Sequence, residues 1–229
     1  YYGPGKMLRV IQRLQEESDI RSQKILEAFE EEREIGRKVG EIKSFRDIKR
    51  NHLQPARPIR SLTPQPSISN LQQAATVLEA VDPRELDINL NEMVLISQRA
   101  HLYNRFLESR AKSEIESLGT KDQVEDTVVE KPKNLYNESG LLRASGLSRK
   151  VEEIVDHYLV IEGFFLRRSV EKAMGIDEYD SGSKTSSCVD DVFYILKKTI
   201  SRAVHTSNVD CLAAMINFIK NTLEMDYIS

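Results

Sequence analysis

SRKVEEIVDHYLVIEGFFLRRSVEKA, residues 148–173, places Val151, Ile154, Val155, Tyr158, Phe165, Leu166 and Val170 at steps built from threes and fours. A repeat near 3.6 residues gathers such positions on one side of a helix, whereas a strand would require strict alternation. The stretch therefore reads as an amphipathic helix ending near Ala173, and the same spacing governs most of the chain on either side of it.

Downstream, Asp180-Ser181-Gly182-Ser183 interrupts the period. Ser187-Cys188-Val189-Asp190 has the spacing of a capping box, with Asp in place of the usual Glu, and opens a helix through Val192, Phe193, Leu196 and Ile200 to Val204. On that spacing Phe193 shares a face with Val189, Leu196 and Ile200 and reads as a core residue. Ser207-Asn208-Val209-Asp210 repeats the device before a last helix carrying Val209, Leu212, Ala213, Ile216, Ile219 and Leu223. Residues 147–229 thus predict a three-helix bundle segment.

Upstream, 119–146 is polar without a sustained apolar period and predicts a mobile loop. Residues 82–118 predict a second long helix, with Asp82 as N-cap, Pro83 at the first helical position, and a stripe of Leu86, Leu90, Met93, Val94, Tyr103, Phe106 and Leu107. Pro55, Pro58, Pro64 and Pro66 make 53–81 a Pro-rich linker with one short helix over Leu71–Val81. Residues 1–52 read as a turn at Gly3-Pro4-Gly5 and then a single long amphipathic helix through Met7, Val10, Ile11, Leu14, Ile25, Leu26, Phe29, Ile35, Val39, Ile42, Phe45 and Ile48. Gly36 and Gly40 mark a bend or a close packing within it. The apolar stripes serve either packing within the chain or docking of partner helices, and so long a first helix leaves part of its stripe for other residues or other chains.

The expected fold class is all-α, an elongated stack with no sheet. Composition agrees, with no Trp, 10 Gly, 7 Pro and 30% charged residues. A balance of 33 basic against 36 acidic residues offers no global attraction to nucleic acid or to anionic lipid. Cys188 and Cys211 belong to no CxxC and read as two reduced thiols. No apolar run reaches the ~18–20 residues of a membrane span, so membrane contact is expected to be peripheral only. A start at Tyr1 and a finish at Ser229 without helix-stop chemistry predict a piece of a longer chain.

Candidate chemistry is sparse. Gly3-Pro4-Gly5-Lys6 resembles the end of a phosphate loop, but Met7 stands where Ser or Thr would hold magnesium. His52, His101, His157 and His205 follow no HExxH, and Lys49, Gln98, Ile154 and Arg202 stand three residues before them, so Glu-x-x-His is absent too. Glu153 and His157 form an i,i+4 pair of the kind common on helix surfaces, and Asp190-Asp191 suits the first turn of a helix. The expectation is no catalytic, cofactor-binding or metal-binding residue, no cofactor and no small-molecule substrate; partner-binding residues are not assigned.

Tyr2-Gly3-Pro4-Gly5, Pro83-Arg84-Glu85-Leu86-Asp87, Leu102-Tyr103, Arg105-Phe106-Leu107, Val189-Asp190-Asp191-Val192-Phe193-Tyr194-Ile195-Leu196-Lys197-Lys198 and Asp210-Cys211-Leu212-Ala213-Ala214-Met215-Ile216-Asn217 carry a specific resemblance. In that order they resemble the fourth-subunit family of the conserved oligomeric Golgi complex, a tethering family of the helical-rod type, and the resemblance implies an elongated stack of antiparallel helical bundles. The resemblance implies a non-catalytic scaffold subunit in retrograde vesicle tethering and intra-Golgi transport, peripheral on the cytoplasmic face of the Golgi membrane with a cytosolic pool. It implies other subunits of the complex as partners, and SNARE proteins and their regulators through parts outside this chain. Residues 51–75 and 119–146 depart from the family pattern. The alternative, a cytoskeletal or coiled-coil structural protein without a trafficking role, calls for a clean heptad register that the chain lacks.

Overall fold

The computed structural model describes residues 6–53, 82–119, 145–176 and 186–224, with side chains left aside at 47–53 and 118–119. Six helices are formed among the described residues: α1 (Lys6–Glu32), α2 (Ile35–Leu53), α3 (Pro83–Gly119), α4 (Gly146–Gly175), α5 (Ser187–His205) and α6 (Val209–Thr222). No strand occurs among the described residues, as the all-α reading requires. The expectations for the turn at 3–5, the linker up to residue 81 with its helix at 71–81, the loop over 120–144 and the break at 180–183 lie outside the described residues.

The stretch expected to be one helix over 1–52 is two helices. Arg33 and Glu34 separate α1 from α2, and Glu34 takes the left-handed value φ 50°. Neither Gly36 nor Gly40 makes the break; both lie inside α2. Tertiary pairing accounts for the position. Arg33 grips Glu92 on α3 with two hydrogen bonds of 2.9 and 2.8 Å, and the Lys38 ammonium, only 3% exposed, donates to the Arg33 carbonyl at 2.8 Å and to Glu85 at 2.5 Å.

Caps set the starts of the helices. Asp82 accepts from the Arg84 amide at 2.8 Å, as expected for the cap before Pro83. At the two capping-box sites the cap falls one residue from the expectation: Ser186 rather than Ser187 accepts from the Cys188 amide, and Asn208 rather than Ser207 accepts from the Cys211 amide at 2.9 Å. Ser207, at φ 57°, forms the turn instead. The start of α4 is satisfied twice over, by the Ser145 hydroxyl on the Ser148 amide and by the Asp19 carboxylate of α1 on the Gly146 and Leu147 amides, both at 2.9 Å. An anion at a helix N-terminus pairs with unbonded amides and with the positive end of the dipole.

Helix α4 is the axis of the molecule. It runs beside α1 in the same direction, Asp19 meeting Gly146 and Glu30 meeting His157, while α3 runs back along both. Tyr158, Ile154, Ile161, Leu166 and Val170 are sealed inside one hydrophobic cluster that also takes Leu26 from α1, Ile35 from α2, Leu90 from α3, Val192 from α5 and Met215 from α6. Each such aliphatic side chain contributes about 1.5–3 kcal/mol on burial. Gly163 lets the Phe218 ring of α6 lie directly on α4; a Cβ there would sit 3.3 Å from it. A second, smaller cluster of Leu8, Ile11, Leu107 and Ala111 joins only the N-terminal end of α1 to the C-terminal end of α3.

The expected burial of Phe193 is overturned. The inward positions of α5 are Cys188, Val192, Leu196, Thr199 and Ala203, and Phe193 is 65% exposed, with Ile200 and Val204 outside as well. The spacing was helical in both readings; the face is turned by one residue.

Candidate functional site

Two kinds of feature stand out from this frame, ionic clusters between helices and apolar side chains on the outside. The innermost cluster joins α3, α4 and α5. Glu162, fully buried, accepts from Arg202 Nη2 at 2.7 Å, and Arg202 Nη1 donates to Asp87 Oδ1 at 2.5 Å. Lys198 reaches the same Asp87 oxygen at 2.7 Å, and the Phe165 ring lies 5.3 Å from the guanidinium carbon. Burial pushes the Glu162 carboxyl up against the pull of Arg202. At Asp87 burial also acts upward, but Lys198 and Arg202 outweigh it and hold the carboxyl below its usual value. Burial raises the Tyr158 phenol and the Cys211 thiol, so both keep their protons at neutral pH and neither is an activated nucleophile.

The second cluster sits between α1 and α4. His157 Nδ1 lies 3.0 Å from Glu30 Oε1, and the Lys150 ammonium contacts Glu30 at 2.5 Å and Glu153 at 2.9 Å. Ligand atoms of Glu30, Glu153 and His157 fall within 4.8 Å of one another, a separation that would suit a cation, but Lys150 already supplies a positive charge to both carboxylates. Lys150 also lowers Glu153 from its ordinary value. This cluster is an interhelical ion pair, and it draws the expected Glu153–His157 pair into a contact with α1 that the spacing alone did not reveal.

The other residues weighed from sequence are dispersed. His101 is exposed on α3, and His205 is exposed with Nδ1 2.5 Å from the Ser201 carbonyl oxygen. Nothing is described of the His52 side chain. Asp190 and Asp191 are exposed in the first turns of α5, and Lys6 is the first residue of α1. Cys188 and Cys211 are buried free thiols.

Sequence reasoning missed Glu162, Arg202 and Asp87. A signal was present for one of them, because Glu162 stands four residues from both Tyr158 and Leu166, in line with the buried stripe. On the outside, Phe193, Tyr194, Ile200 and Val204 of α5 and Val209 and Ile216 of α6 are exposed. A groove of about 680 Å³ opens beside Tyr194, between Pro83 and Leu86 of α3, Phe164 and Phe165 of α4, and Ile195 of α5. Such surfaces suit packing against another macromolecule. No described helix is long and apolar enough to cross a membrane.

Comparison with known proteins identifies what this arrangement resembles. A family model described as COG4 transport protein, middle alpha-helical bundle, matches residues 1–229. The conserved oligomeric Golgi complex subunit 4 of Homo sapiens is 37% identical over 227 residues, covering 99% of this chain and 25% of the relative. The subunit of the same name in Arabidopsis thaliana is 29% identical over 214 residues, 93% of this chain and 24% of the relative, and that in Drosophila melanogaster is 34% identical over 152 residues, 66% and 19%. The chain thus spans about a quarter of the length of the curated relatives it matches. No solved structure matches it significantly.

Proposed function

The chain belongs to the COG4 transport protein family, as that family's middle α-helical bundle, and on that premise we propose that it is a scaffold segment of a Golgi vesicle tether. The match over all 229 residues carries the reading. The described architecture supports it. Interhelical ion pairs and one shared core fix six helices as a body, and apolar side chains of α5 and α6 face outward where neighbouring parts of an assembly would pack. The protein is not an enzyme; it acts by holding surfaces at a set separation. Its partners are other subunits of the oligomeric Golgi complex, with SNARE proteins and their regulators engaged through parts outside this chain. It resides peripherally at the cytoplasmic face of the Golgi membrane, with a cytosolic pool.

The test is to isolate the intact endogenous protein under mild conditions, identify its companions by mass spectrometry, and measure lectin binding at the surface of depleted cells. The expected result is recovery with other tether subunits and altered surface glycans, because recycled Golgi enzymes would be misplaced. Recovery of the protein alone, with normal glycans after depletion, would overturn the assignment.

A further inference from the structure

The N-terminal end of α1 and the C-terminal end of α3 form an antiparallel pair that reaches beyond the shared core and is held by four buried residues. Each core position of this pair has an exposed neighbour immediately before it. Met7 precedes Leu8, Val10 precedes Ile11, Leu14 precedes the buried Gln15, and Phe106 precedes Leu107. Leu102, also exposed, precedes Tyr103, which packs against the same small core. One step back along a helix is a turn of about 100°. In antiparallel helices that face each other, the same backward turn on both leads to the same side of the pair. Met7, Val10 and Leu14 on one helix and Leu102 and Phe106 on the other therefore border one cleft. Packed helix axes lie about 8–10 Å apart, so the cleft has the width that seats the ridge of one further helix.

The borders of the cleft are basic on balance, Lys6 and Arg13 flanking the stripe of α1 and Arg99 and Arg110 that of α3. Residues 6–17 contribute Lys6, Arg9 and Arg13 against Glu16 and Glu17, of which Glu17 is paired with Arg21, and residues 99–112 contribute Arg99, Arg105, Arg110 and Lys112 against Glu108. All seven cations are exposed, and Arg110 lies 5.4 Å over the Phe106 ring at the edge of the apolar stripe. The chain as a whole carries −3, so this end stands out against an acidic remainder that an anionic membrane would repel. Apolar stripes on two walls, a one-helix width and basic margins define the occupant.

We infer that this cleft receives an acidic amphipathic helix from another polypeptide, its apolar stripe between Val10 and Leu102 and its carboxylates toward the arginines. The inference rests on the assembly reading above, which supplies a second polypeptide; the cleft and its charge supply the chemistry. Burial of the aliphatic stripe would hold the helix, and the basic margins would speed its approach and select for acidic flanks.

A photo-crosslinking residue placed at Val10, and separately at Leu102, in the full-length protein in its own cells tests this directly. Both positions are expected to capture the same segment of another protein, a helix with Asp and Glu beside an apolar stripe. Leu102→Asp with Phe106→Asp should then lower co-purification of that protein at least about tenfold. Arg99→Glu should lower it in the same direction and weaken its dependence on salt, with the melting temperatures of all variants unchanged because the sites are exposed. Crosslinks to a distant segment of the same polypeptide, to a second copy, to lipid or to nothing would overturn the inference. If other companions still co-purify in that event, the cleft reading fails alone; if the unaltered protein has no companions at all, the assembly reading fails with it.

Discussion

Arg202 neutralises two carboxylates that reach it from different helices, so its removal is expected to cost more than an ordinary surface substitution. Arg202→Met would leave Glu162 buried without a counter-charge and should destabilise the protein by about 3–5 kcal/mol in urea denaturation. Adding Glu162→Gln should recover much of that loss, a non-additive result that an unlinked pair would not give. The pH dependence follows from the directions of the shifts. Asp87 sits below its usual value, so the stability it contributes is present above the ordinary carboxylate range and is lost as pH falls through its folded value. Glu162 sits above its usual value, so keeping it ionised in the fold costs stability as pH rises. Without Arg202 the second effect dominates, and the deficit of Arg202→Met should be smaller at pH 5 than at pH 8. On α5, Phe193→Asp should change stability by less than about 0.5 kcal/mol, whereas Val192→Asp next to it should cost several kcal/mol by burying a carboxylate in the core; thermal melts of the two variants decide between the faces.

At the scale of an element, the connection from α1 to α2 depends on a non-glycine residue in the left-handed region. A β-branched side chain tolerates that conformation poorly, so Glu34→Val should lower stability by about 1–2 kcal/mol while Glu34→Gly should not, as read from their melting temperatures. No proline or glycine stands at 33–34, and for that reason periodicity carried one helix across the break. The ion pairs that hold the break, Arg33–Glu92 and Lys38–Glu85, join residues 59 and 47 positions apart and leave no trace in local spacing. The existence of the described helices was legible, because threes and fours recur in every one. Their faces were less so. On α5 the sets 188-192-196-199-203 and 189-193-196-200-204 both satisfy a helical period, and only the neighbours that α4 and α6 bring decide between them. The caps at Ser186 and Asn208 were missed by one residue because each adjoins a serine also able to cap, and box spacing alone does not choose. Glu162 was the one legible hint of the internal cluster; Asp87 and Arg202 reach it only through the tertiary fold.

For the molecule as a whole, a cluster drawing on every described helix predicts that they unfold together. Circular dichroism and intrinsic tyrosine fluorescence should trace one coincident urea transition for the core helices. Two separated transitions, with 147–229 melting apart from α1–α3, would show that the shared cluster does not couple the two halves. The cap that Asp19 places on Gly146 and Leu147 joins positions 127 and 128 residues apart. A ribosome adds about 5–20 residues per second, so α1 emerges on the order of ten seconds before the helix it caps has been made. Throughout that interval Leu26 has no α4 to cover it, nor do Ile35 and Leu90 once they are made. The order of synthesis therefore leaves α1, α2 and α3 waiting, and chaperones that bind exposed apolar segments should occupy the nascent chain until residues 146–175 clear the exit tunnel.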